Sequence, residues 1–473
     1  MAKNTVLDWI DQHSQQLTQL SDKIWELAEV GLQEHQSAAA LIAMAKEHGF
    51  TVEEGVAGMP SAFVASFGSG HPVIAILGEY DALPGLSQQA HYQKQPLQAG
   101  AAGHGCGHNL LGVAALGGAI AVKEAIVKEN LQGTVRFYGC PAEETLVGKV
   151  FMVRDGLFDD VDISMTWHPA SETALWSSSS LAMNSAKFTF HGRSSHAAGD
   201  PENGRSALDA VELMNVGANY LREHVSTDAR IHYVITNGGG EPNVVPPIAQ
   251  VWYYVRAPRR SQVEEIFARL NKIAEGAALM TETTFDVELL SGCYDTIHND
   301  VVGDVLLESM QTVGAPQFDQ EDQEFAKKLA ESYPPGHYDQ AISRMKERHG
   351  VDLRGKYLMD FVSDKLEKGK VGAGSTDVGD VSWVTPTAQF SIATNALGTP
   401  GHSWQYAACS GMAIGHKGML VAAKVLGLSA LRFLQQPELI EPAKQGLKQD
   451  TKGQSYVSPI PEGQEPPLHQ LGH

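Results

Sequence analysis

The chain has 473 residues, 43% of them hydrophobic and 19% charged, which is typical of a globular protein long enough for more than one domain. Its formal net charge of −20 argues against nucleic acids and anionic membranes as partners. The four cysteines are widely spaced, no apolar run reaches the roughly 18 residues of a membrane span, and the N-terminus lacks a signal-peptide pattern, so we expect a reduced, cytoplasmic protein.

The first part of the chain alternates apolar runs of strand length with helical periodicity. Two helices are predicted between residues 4 and 48, and the apolar run 110 to 122 predicts a buried helix. The predicted strands are 61 to 66, 72 to 77, 134 to 140 and 162 to 167. Acidic or histidine side chains follow most of them. This order predicts an α/β catalytic domain with a mostly parallel sheet flanked by helices, in which the strand ends meet at one edge.

A second unit is predicted as an insertion at residues 185 to 295. Its apolar runs follow the order β-α-β-β-α-β, which is the pattern of a ferredoxin-like α+β domain. We therefore expect residues 1 to 184 and 296 to 473 to form the discontinuous catalytic domain. The inserted unit would be a lid or dimerisation domain.

After the insertion, the chain returns to helices and loops. Residues 318 to 370 are charged and predicted to be mostly helical, 389 to 394 form a strand, and 407 to 433 form a long apolar helical region. The last 35 or so residues are rich in Gln, Pro, Gly and Lys and are expected to lie loosely on the surface. The tail histidines His469 and His473 are not expected to be ligands.

The segment 103 to 109, Gly-His-Gly-Cys-Gly-His-Asn, concentrates side chains that bind metals. The thiolate of Cys106 and the imidazole of His108 are good ligands for divalent transition metals, and the glycines between them let the backbone turn sharply. A lone Cys-x-His is more often a turn with a buried cysteine and incidental histidines. Acids and histidines at the ends of other apolar runs favour the metal site here.

The complete candidate ligand set has one thiolate, one carboxylate and three imidazoles: Cys106, His108, Glu144, His168 and His402. Five donors are too many for one tetrahedral zinc with an open position, and they suit two metals that share a bridging group. Glu143 is then free to act as a general base, because neighbouring carboxylates on an irregular turn can point in different directions. The alternative for Glu143 is a surface carboxylate.

Seven short segments follow one another in a specific order. They are Gly78-Glu79-Tyr80-Asp81-Ala82-Leu83-Pro84, His104-Gly105-Cys106-Gly107-His108-Asn109, Pro141-Ala142-Glu143-Glu144, Trp167-His168-Pro169, Gly192-Arg193-Ser194-Ser195-His196-Ala197-Ala198, Asn243-Val244-Val245-Pro246 and Gly401-His402. Together they resemble the M20 family of metallopeptidases and amidohydrolases, in the branch with a cysteine ligand that includes aminoacylases and auxin-conjugate hydrolases.

The resemblance implies a dinuclear site for manganese or zinc, formed by the five candidate ligands, with Glu143 as general base. It also implies that Asp81 supports the site without binding metal and that the lid mediates dimerisation. His196 would reach the scissile carbonyl from the lid, often in the partner subunit's site, and Asn243 would contact substrate. The alternatives for these last two residues are a helix-capping histidine and an ordinary turn residue. Many members of this branch have aspartate where Asn109 stands, and the shorter members lack the segment 318 to 370.

The activity implied by the resemblance is metal-assisted hydrolysis of the amide bond of an N-acyl amino acid. The segments 138 to 144 and 375 to 383 are most similar to the p-aminobenzoyl-glutamate hydrolases of the family, which favours p-aminobenzoyl-glutamate as substrate. The candidate partners for the glutamate carboxylates are Arg193, Arg205 and Arg256 on the lid. The alternatives are a general aminoacylase or dipeptidase, and a non-catalytic subunit that binds an acyl-amino acid. We expect a homodimer, or a heterodimer with a homologous A-type subunit.

Overall fold

The computed structural model describes residues 2 to 468, so that His469 and His473 lie outside the described residues. The strands are β1 Thr51–Glu54, β2 Phe63–Ser69, β3 Val73–Glu79, β4 Gly133–Cys140, β5 Ile163–Ala170, β6 Ala174–Trp176, β7 Ala182–His191, β8 Arg230–Asn237, β9 Ile248–Ala257, β10 Thr284–Cys293 and β11 Thr387–Ala393. The helices are α1 Ala2–Gln12, α2 Ser14–Leu27, α3 His35–Glu47, α4 His108–Glu129, α5 Gly148–Arg154, α6 Ala207–Leu221, α7 Arg260–Thr281, α8 Asp300–Val313, α9 Gln320–Ala330, α10 His337–His349, α11 Val378–Val384, α12 Trp404–Ser410, α13 Ala413–Gln435 and α14 Ile440–Asp450.

The larger sheet has seven strands in the order β1-β2-β4-β3-β5-β11-β6. Its centre is parallel, because β3 pairs with β4 and β5, and β5 pairs with β11. The outer pairs β1–β2, β2–β4 and β6–β11 are antiparallel. The predicted α/β class is confirmed, with parallel pairing confined to the four central strands. The sequence pattern does not predict β1 and β6, because such short runs carry little periodicity.

The two faces of this sheet are buried in two different cores. Ile74 and Ile76 of β3 face a core with α1, α4, α8 and α13, whereas Val73, Ala75 and Leu77 face a core with α5 and α11. This alternation follows from the two-residue period of a strand, and burial of both faces explains why β3 is apolar throughout.

The helices α4 and α13 are long and apolar enough, by composition, to cross a membrane. In the structure 83% of the apolar window of α4 and 72% of that of α13 are buried, and the two helices pack against each other in the core. A Cβ atom on Gly112 would lie 2.6 Å from the backbone oxygen of Glu79, so only glycine allows α4 to lie this close to β3. This contact brings the start of α4, and therefore His108, to the carboxyl end of β3.

The smaller sheet is antiparallel, with the order β10-β7-β9-β8, and α6 and α7 cover one of its faces. The predicted β-α-β-β-α-β order of the lid is confirmed. The first strand of this sheet begins at Ala182 and the last ends at Cys293. The domain limits, with the insertion at residues 185 to 295, stay a prediction.

Three segments differ from the pattern-based predictions. The N-terminal region has three helices instead of two, because the chain breaks at His13 between α1 and α2. The charged segment is helical only in α9 and α10, and it becomes irregular beyond Gly350, which has a left-handed φ of 73°. The tail is not loose throughout, because it forms α14 and buries Ala443 and Ile460 against the catalytic domain.

Candidate metal centre and active site

The carboxyl ends of the central strands deliver the predicted ligands to one edge of the large sheet. β5 carries His168 near its end, β4 leads into the turn with Glu144, and β11 is followed by the loop with His402. His108 begins α4, and Cys106 precedes it in a turn through Gly107, which has a φ of 78°. A Cβ atom on Gly107 would lie 3.0 Å from Pro169, so glycine permits both this turn and its contact with β5.

The first cluster of donor atoms joins Cys106, His108 and His168, whose ligand atoms all lie within 4.8 Å of one another. The Sγ atom of Cys106 is 3.4 Å from Nε2 of His168. His168 donates its Nδ1 proton to the Pro169 carbonyl at 2.6 Å, which leaves the lone pair of Nε2 facing the cluster. Burial lowers the pKa of His168 to about 4, so its ring is neutral and able to ligate at neutral pH.

The second cluster joins Cys106, Glu144 and His402, again with ligand atoms within 4.8 Å of one another. Nε2 of His402 is 3.3 Å from Oε2 of Glu144, whose other oxygen is buried without a hydrogen-bond partner. Burial raises the pKa of Glu144 to about 7. The structure therefore brings all five predicted ligands together, in two clusters that share Cys106.

Asp81 connects the two clusters. Its Oδ1 accepts the Nδ1 proton of His108 at 2.7 Å, and its Oδ2 accepts the backbone N–H of Glu144 at 2.9 Å. In the neutral ring, Nε2 of His108 then carries a lone pair, and this buried atom has no hydrogen-bond partner. Asp81 thus fixes the tautomer of one candidate ligand and the backbone of another.

The turn that carries Glu143 and Glu144 is held from both sides. Ala142 has a left-handed φ of 55°, and its N–H donates to Oε1 of the buried Glu34 at 2.8 Å. The N–H of Glu144 is held by Asp81, as described above. Glu143 lies between these two anchored residues, and its Oε2 is 4.0 Å from Nε2 of His108. Burial and the neighbouring Glu79 raise the pKa of Glu143 well above its usual range.

The donor set fits a pair of divalent cations. A buried nitrogen of His108 and a buried oxygen of Glu144 lack hydrogen-bond partners, which is rare in proteins unless an ion or water binds there. A thiolate, imidazoles and carboxylates in this number match zinc or manganese better than calcium or magnesium, whose protein ligands are oxygens.

A cavity of about 420 Å³ opens beside these clusters, between the sheet edge and the lid. Glu143 and His168 line it from the catalytic domain, Tyr254 and Arg256 from the lid, and Arg348 from α10. The ring of Trp176, which also lines it, is stacked on that of His168 with centroids 5.3 Å apart. The cavity therefore combines the metal-type donors with an aromatic surface and cationic groups.

The three lid arginines named as carboxylate partners differ in position. Arg256 lines the cavity, with Nη1 3.4 Å from the Ser375 hydroxyl and a buried Nε that has no partner. Arg193 bonds to the Asn203 carbonyl, and Arg205 pairs with a glutamate at the end of α7, so neither of them lines the cavity.

His196 and Asn243 lie outside the cavity that the candidate ligands line. Both are exposed on the lid, where a bridge pairs His196 with Val244, and neither lines the cavity. Nδ1 of His196 accepts the N–H groups of Ala198 and Gly199 at 3.2 and 3.0 Å. The proton of a neutral ring is then on Nε2, which makes that atom a hydrogen-bond donor.

Two further residues of the glycine-rich segment are structural. The side chain of Asn109 donates to the Ser21 hydroxyl and to the Ser410 carbonyl, both at 3.0 Å, so it points away from the clusters. His104 is buried against the Ile24 carbonyl at 3.0 Å. The amide of Asn109 therefore connects α4 to α2 and α12.

The sequence pattern does not predict a role for Glu79, Lys149 or Asp377. Glu79 forms a third donor group with His108 and Glu143, and its carboxylate bonds to the fully buried Lys149. The adjacency of Glu79 to Asp81 in one motif is the signal that could have identified it. Nothing in the sequence pairs Lys149 with Asp377, which lies 228 residues further along the chain.

Comparisons with known proteins identify relatives of this chain. A family model described as a peptidase dimerisation domain matches residues 182–281. The B-type subunit of the p-aminobenzoyl-glutamate hydrolase of Escherichia coli strain K12 is 42% identical over 468 residues, covering 97% of each chain. The Xaa-Arg dipeptidase of Mus musculus is 28% identical over 468 residues, covering 95% of this chain and 92% of the dipeptidase.

Among solved structures, a Bacillus subtilis protein described as a dinuclear metal binding peptidase from the M20 family has a TM-score of 0.57 at 16% identity. The match covers 90% of this chain and 99% of the other. At this identity the likeness establishes a shared fold.

Proposed function

This chain belongs to the M20 family of metallopeptidases and amidohydrolases, and we propose that it hydrolyses the amide bond of N-acyl amino acids. The substrate we propose is p-aminobenzoyl-glutamate, which would be cleaved to p-aminobenzoate and glutamate. The 42% identity to one chain of a hydrolase named for that substrate supports this choice. The observation that carries the proposal is the meeting of five ligand-type side chains and Glu143 at one end of a cavity.

Two divalent metal ions, manganese or zinc, would be held by the two clusters that share Cys106. When bound, such ions polarise the amide carbonyl and lower the pKa of the attacking water. The chain contributes the ligand orientation, since Asp81 fixes the tautomer of His108 and the backbone of Glu144.

Glu143 is the residue we assign to proton transfer. Its carboxylate lines the cavity and lies beside the ligand clusters, while its neighbour Glu144 belongs to the second cluster. Glu143 would take a proton from the attacking water and pass it to the amine nitrogen as the amide bond breaks. The anchored turn from Ala142 to Glu144 keeps this carboxylate in position.

Arg256 is the lid residue we assign to a carboxylate of the glutamate leaving group. Its guanidinium is the cavity-lining cation with an unpartnered buried nitrogen, whereas Arg348 is already bonded to Glu172 and Glu367. A charge-assisted hydrogen bond to a carboxylate would satisfy the Arg256 nitrogen. Trp176 gives the cavity an aromatic surface, which suits the p-aminobenzoyl ring.

We also propose that the lid forms a dimer through its outer edge. β8 is an edge strand of the lid sheet, and its Val234 is 55% exposed. Beside it, α6 exposes Leu213, Val216 and Tyr220 at helical spacing, which gives an apolar stripe. A second copy could pair with this edge and cover the stripe.

In that dimer, His196 would act in the active site of the partner subunit. Its Nε2 would donate a hydrogen bond to the oxyanion that develops there.

The partner in this dimer can be a second copy of the chain or a homologous A-type subunit. The Escherichia coli relative is itself one of the subunits of its hydrolase, which supports a mixed assembly as the second option.

We propose a cytoplasmic location for this protein. The cysteines of the described chain are all free thiols, which supports this proposal.

A general aminoacylase or dipeptidase is the second candidate function, supported by the 28% identity to the Xaa-Arg dipeptidase. A non-catalytic subunit that binds an acyl-amino acid is the candidate from another class. Glu143 and the complete ligand set argue against it, because a chain that only binds has no need of a general base.

The test is a comparison of kcat/KM for the metal-loaded chain with p-aminobenzoyl-glutamate, a benzoyl-neutral amino acid and a plain dipeptide. We expect a clear preference for p-aminobenzoyl-glutamate. A preference for either of the other substrates would favour the aminoacylase or dipeptidase alternative. No turnover by the chain alone, together with turnover after a homologous A-type subunit is added that is unchanged by Glu143→Gln in this chain, would favour the non-catalytic subunit.

A further inference from the structure

A buried ion cluster lies directly behind the candidate metal centre. The ammonium of Lys149 is fully buried, 2.7 Å from Oε1 of Glu79 and 2.5 Å from Oδ1 of Asp377. The backbone N–H of Lys149 donates to the other oxygen of Asp377 at 2.8 Å. The lysine is therefore fixed at both its backbone and its side chain, and it bonds to two carboxylates that the proposed mechanism does not use.

The position of Lys149 is set by tight packing at the start of α5. A Cβ atom on Gly148 would lie only 1.9 Å from the Pro141 carbonyl oxygen, so glycine is required where α5 meets the turn with Glu143. The backbone of Lys149 is therefore held against that turn, and its ammonium is held by the two carboxylates.

The second oxygen of Glu79 faces the metal-type donors. Its Oε2 is 3.4 Å from Nε2 of His108, the atom that carries a lone pair in the neutral ring, because Asp81 accepts the proton of Nδ1. In the neutral ring, the Nε2 lone pair and the carboxylate oxygen repel each other at this distance, and a positive charge between them, either a metal ion or the proton of a charged imidazole, removes the repulsion. Glu79, His108 and Glu143 all place ligand atoms within 4.8 Å of one another.

We propose that Lys149 is a positioning residue of the metal centre, which, together with Asp377, fixes Glu79 so that its free oxygen faces the cation-binding space beside His108. The negative charge of Glu79 then strengthens metal binding, and Lys149 balances the charge of Asp377 behind it. This gives a role to the polar turn at Ser375 to Asp377, whose first residue also contacts Arg256 of the lid. The inference rests on the metal site that we proposed above.

The test measures the affinity of the chain for Mn²⁺ and Zn²⁺ by competition with a chromophoric chelator, and it needs no substrate. Glu79→Gln keeps the shape of the side chain and removes its charge, and Lys149→Met removes the ammonium. We expect each variant to bind metal roughly 10- to 100-fold more weakly, the usual effect of losing a partner of a metal ligand. Because Lys149 acts through Glu79, adding Lys149→Met to Glu79→Gln should weaken the affinity no further.

The matched control is Lys417→Met, since Lys417 also bonds to two carboxylates, Asp319 and Asp322, but does not line the cavity. Its metal affinity should equal that of the unmodified chain. If Lys149→Met does not fold, as judged by its thermal unfolding, Asp377→Asn replaces it, because the isosteric amide weakens the same contact.

The outcomes separate this inference from the proposed function. Metal binding by the unmodified chain, with unchanged affinity in Glu79→Gln, would overturn the role of Glu79 and Lys149 and leave the metal centre intact. Additive losses in the double variant would also overturn it, because they would show that Lys149 acts independently of Glu79. An unmodified chain that binds neither metal would remove both proposals.

Discussion

Asp81 accepts the Nδ1 proton of His108 at 2.7 Å with one carboxylate oxygen, and its second oxygen accepts the backbone N–H of Glu144 at 2.9 Å. Both oxygens of Asp81 are therefore occupied without any metal. An Asn side chain has only one acceptor oxygen and cannot satisfy both donors.

Asp81→Asn should weaken metal binding by roughly 10- to 100-fold, the range found for partners of metal ligands. If the amide oxygen accepts from Glu144, the amide NH₂ faces Nδ1 of His108 and drives the ring proton onto Nε2, where it blocks ligation. Chelator competition measures the effect. Asp160→Asn is the control, because Asp160 pairs with Arg136 at the surface, and an equal loss in both variants would contradict the role of Asp81.

Glu34 should position the catalytic turn through the N–H of Ala142. Glu34→Ala removes the acceptor that holds this left-handed residue, and we expect kcat to fall by roughly 10²-fold because a small displacement of a reacting group has an effect of this size. Glu34→Gln keeps an acceptor oxygen for Ala142, and its amide can donate to the Ser61 hydroxyl, so kcat should recover. Steady-state kinetics with metal content measured in parallel gives the result. Equal losses of kcat in both variants would show that the charge of Glu34 matters and the hydrogen bond does not.

The sequence predicts that the candidate ligands meet because each of them stands near a recognisable apolar run. His168 and Glu144 stand at the ends of β5 and β4, and parallel strands place such ends at one edge. Contacts between segments that are distant along the chain cannot be predicted in this way. Glu34 lies 108 residues before Ala142 along the chain, and a lone glutamate in a helical region looks like a solvated charge.

Lys149 is a second residue whose contacts cannot be predicted from the sequence. Lysine is almost never fully buried unless it is paired, and a lysine at the start of a short helix predicts an exposed side chain. Only the fold brings Asp377 and Glu79 to it.

Helix α14 was not predicted for another reason: its composition is polar, and only Ala443 is buried along it. Buried charge pairs and polar surface helices therefore cannot be predicted from the sequence pattern alone.

Glu143→Gln should keep the metals and the fold and slow turnover by roughly 10²- to 10⁴-fold, the range for a positioned general base. The amide retains the size of the side chain but cannot take a proton from water. Metal analysis and kcat on the same preparation test this. A variant that loses metal would mean that the roles of Glu143 and Glu144 are exchanged, and a near wild-type rate would exclude Glu143 as the base.

Two inactive variants should complement each other if His196 acts across a dimer. His196 is exposed on the lid and lies outside the cavity of its own chain. A mixed dimer of His196→Ala and Glu143→Gln chains holds one site with both residues intact, so mixing should restore part of the activity. Subunit exchange is followed independently with two differently labelled preparations. Exchange without recovered activity would place the action of His196 within its own chain or exclude it.

The edge of the lid provides the control for that experiment. Val234→Asp places a charge on the exposed β8 strand, where like charges from two copies would face each other across a paired edge. We expect monomers by sedimentation and a loss of complementation, with the metal content unchanged. Val127→Asp changes a similarly exposed valine on α4, outside the lid, and should leave the assembly as it is. A dimer that tolerates Val234→Asp would contradict this interface.

Arg256→Ala should lower kcat/KM for p-aminobenzoyl-glutamate by roughly 10- to 100-fold, which corresponds to the ~1.5–3 kcal/mol of a hydrogen bond to a charged group. The buried, unpartnered nitrogen of Arg256 and its place in the cavity are the reasons for this expectation. Arg205→Ala is the matched control, because Arg205 is a lid arginine that pairs with Glu282 outside the cavity.

Comparing p-aminobenzoyl-glutamate with p-aminobenzoyl-glutamine then identifies which carboxylate of the substrate Arg256 binds. An equal loss for both substrates assigns Arg256 to the α-carboxylate, and a loss confined to the glutamate conjugate assigns it to the γ-carboxylate. If Arg256→Ala behaves like Arg205→Ala with both substrates, Arg256 binds neither carboxylate.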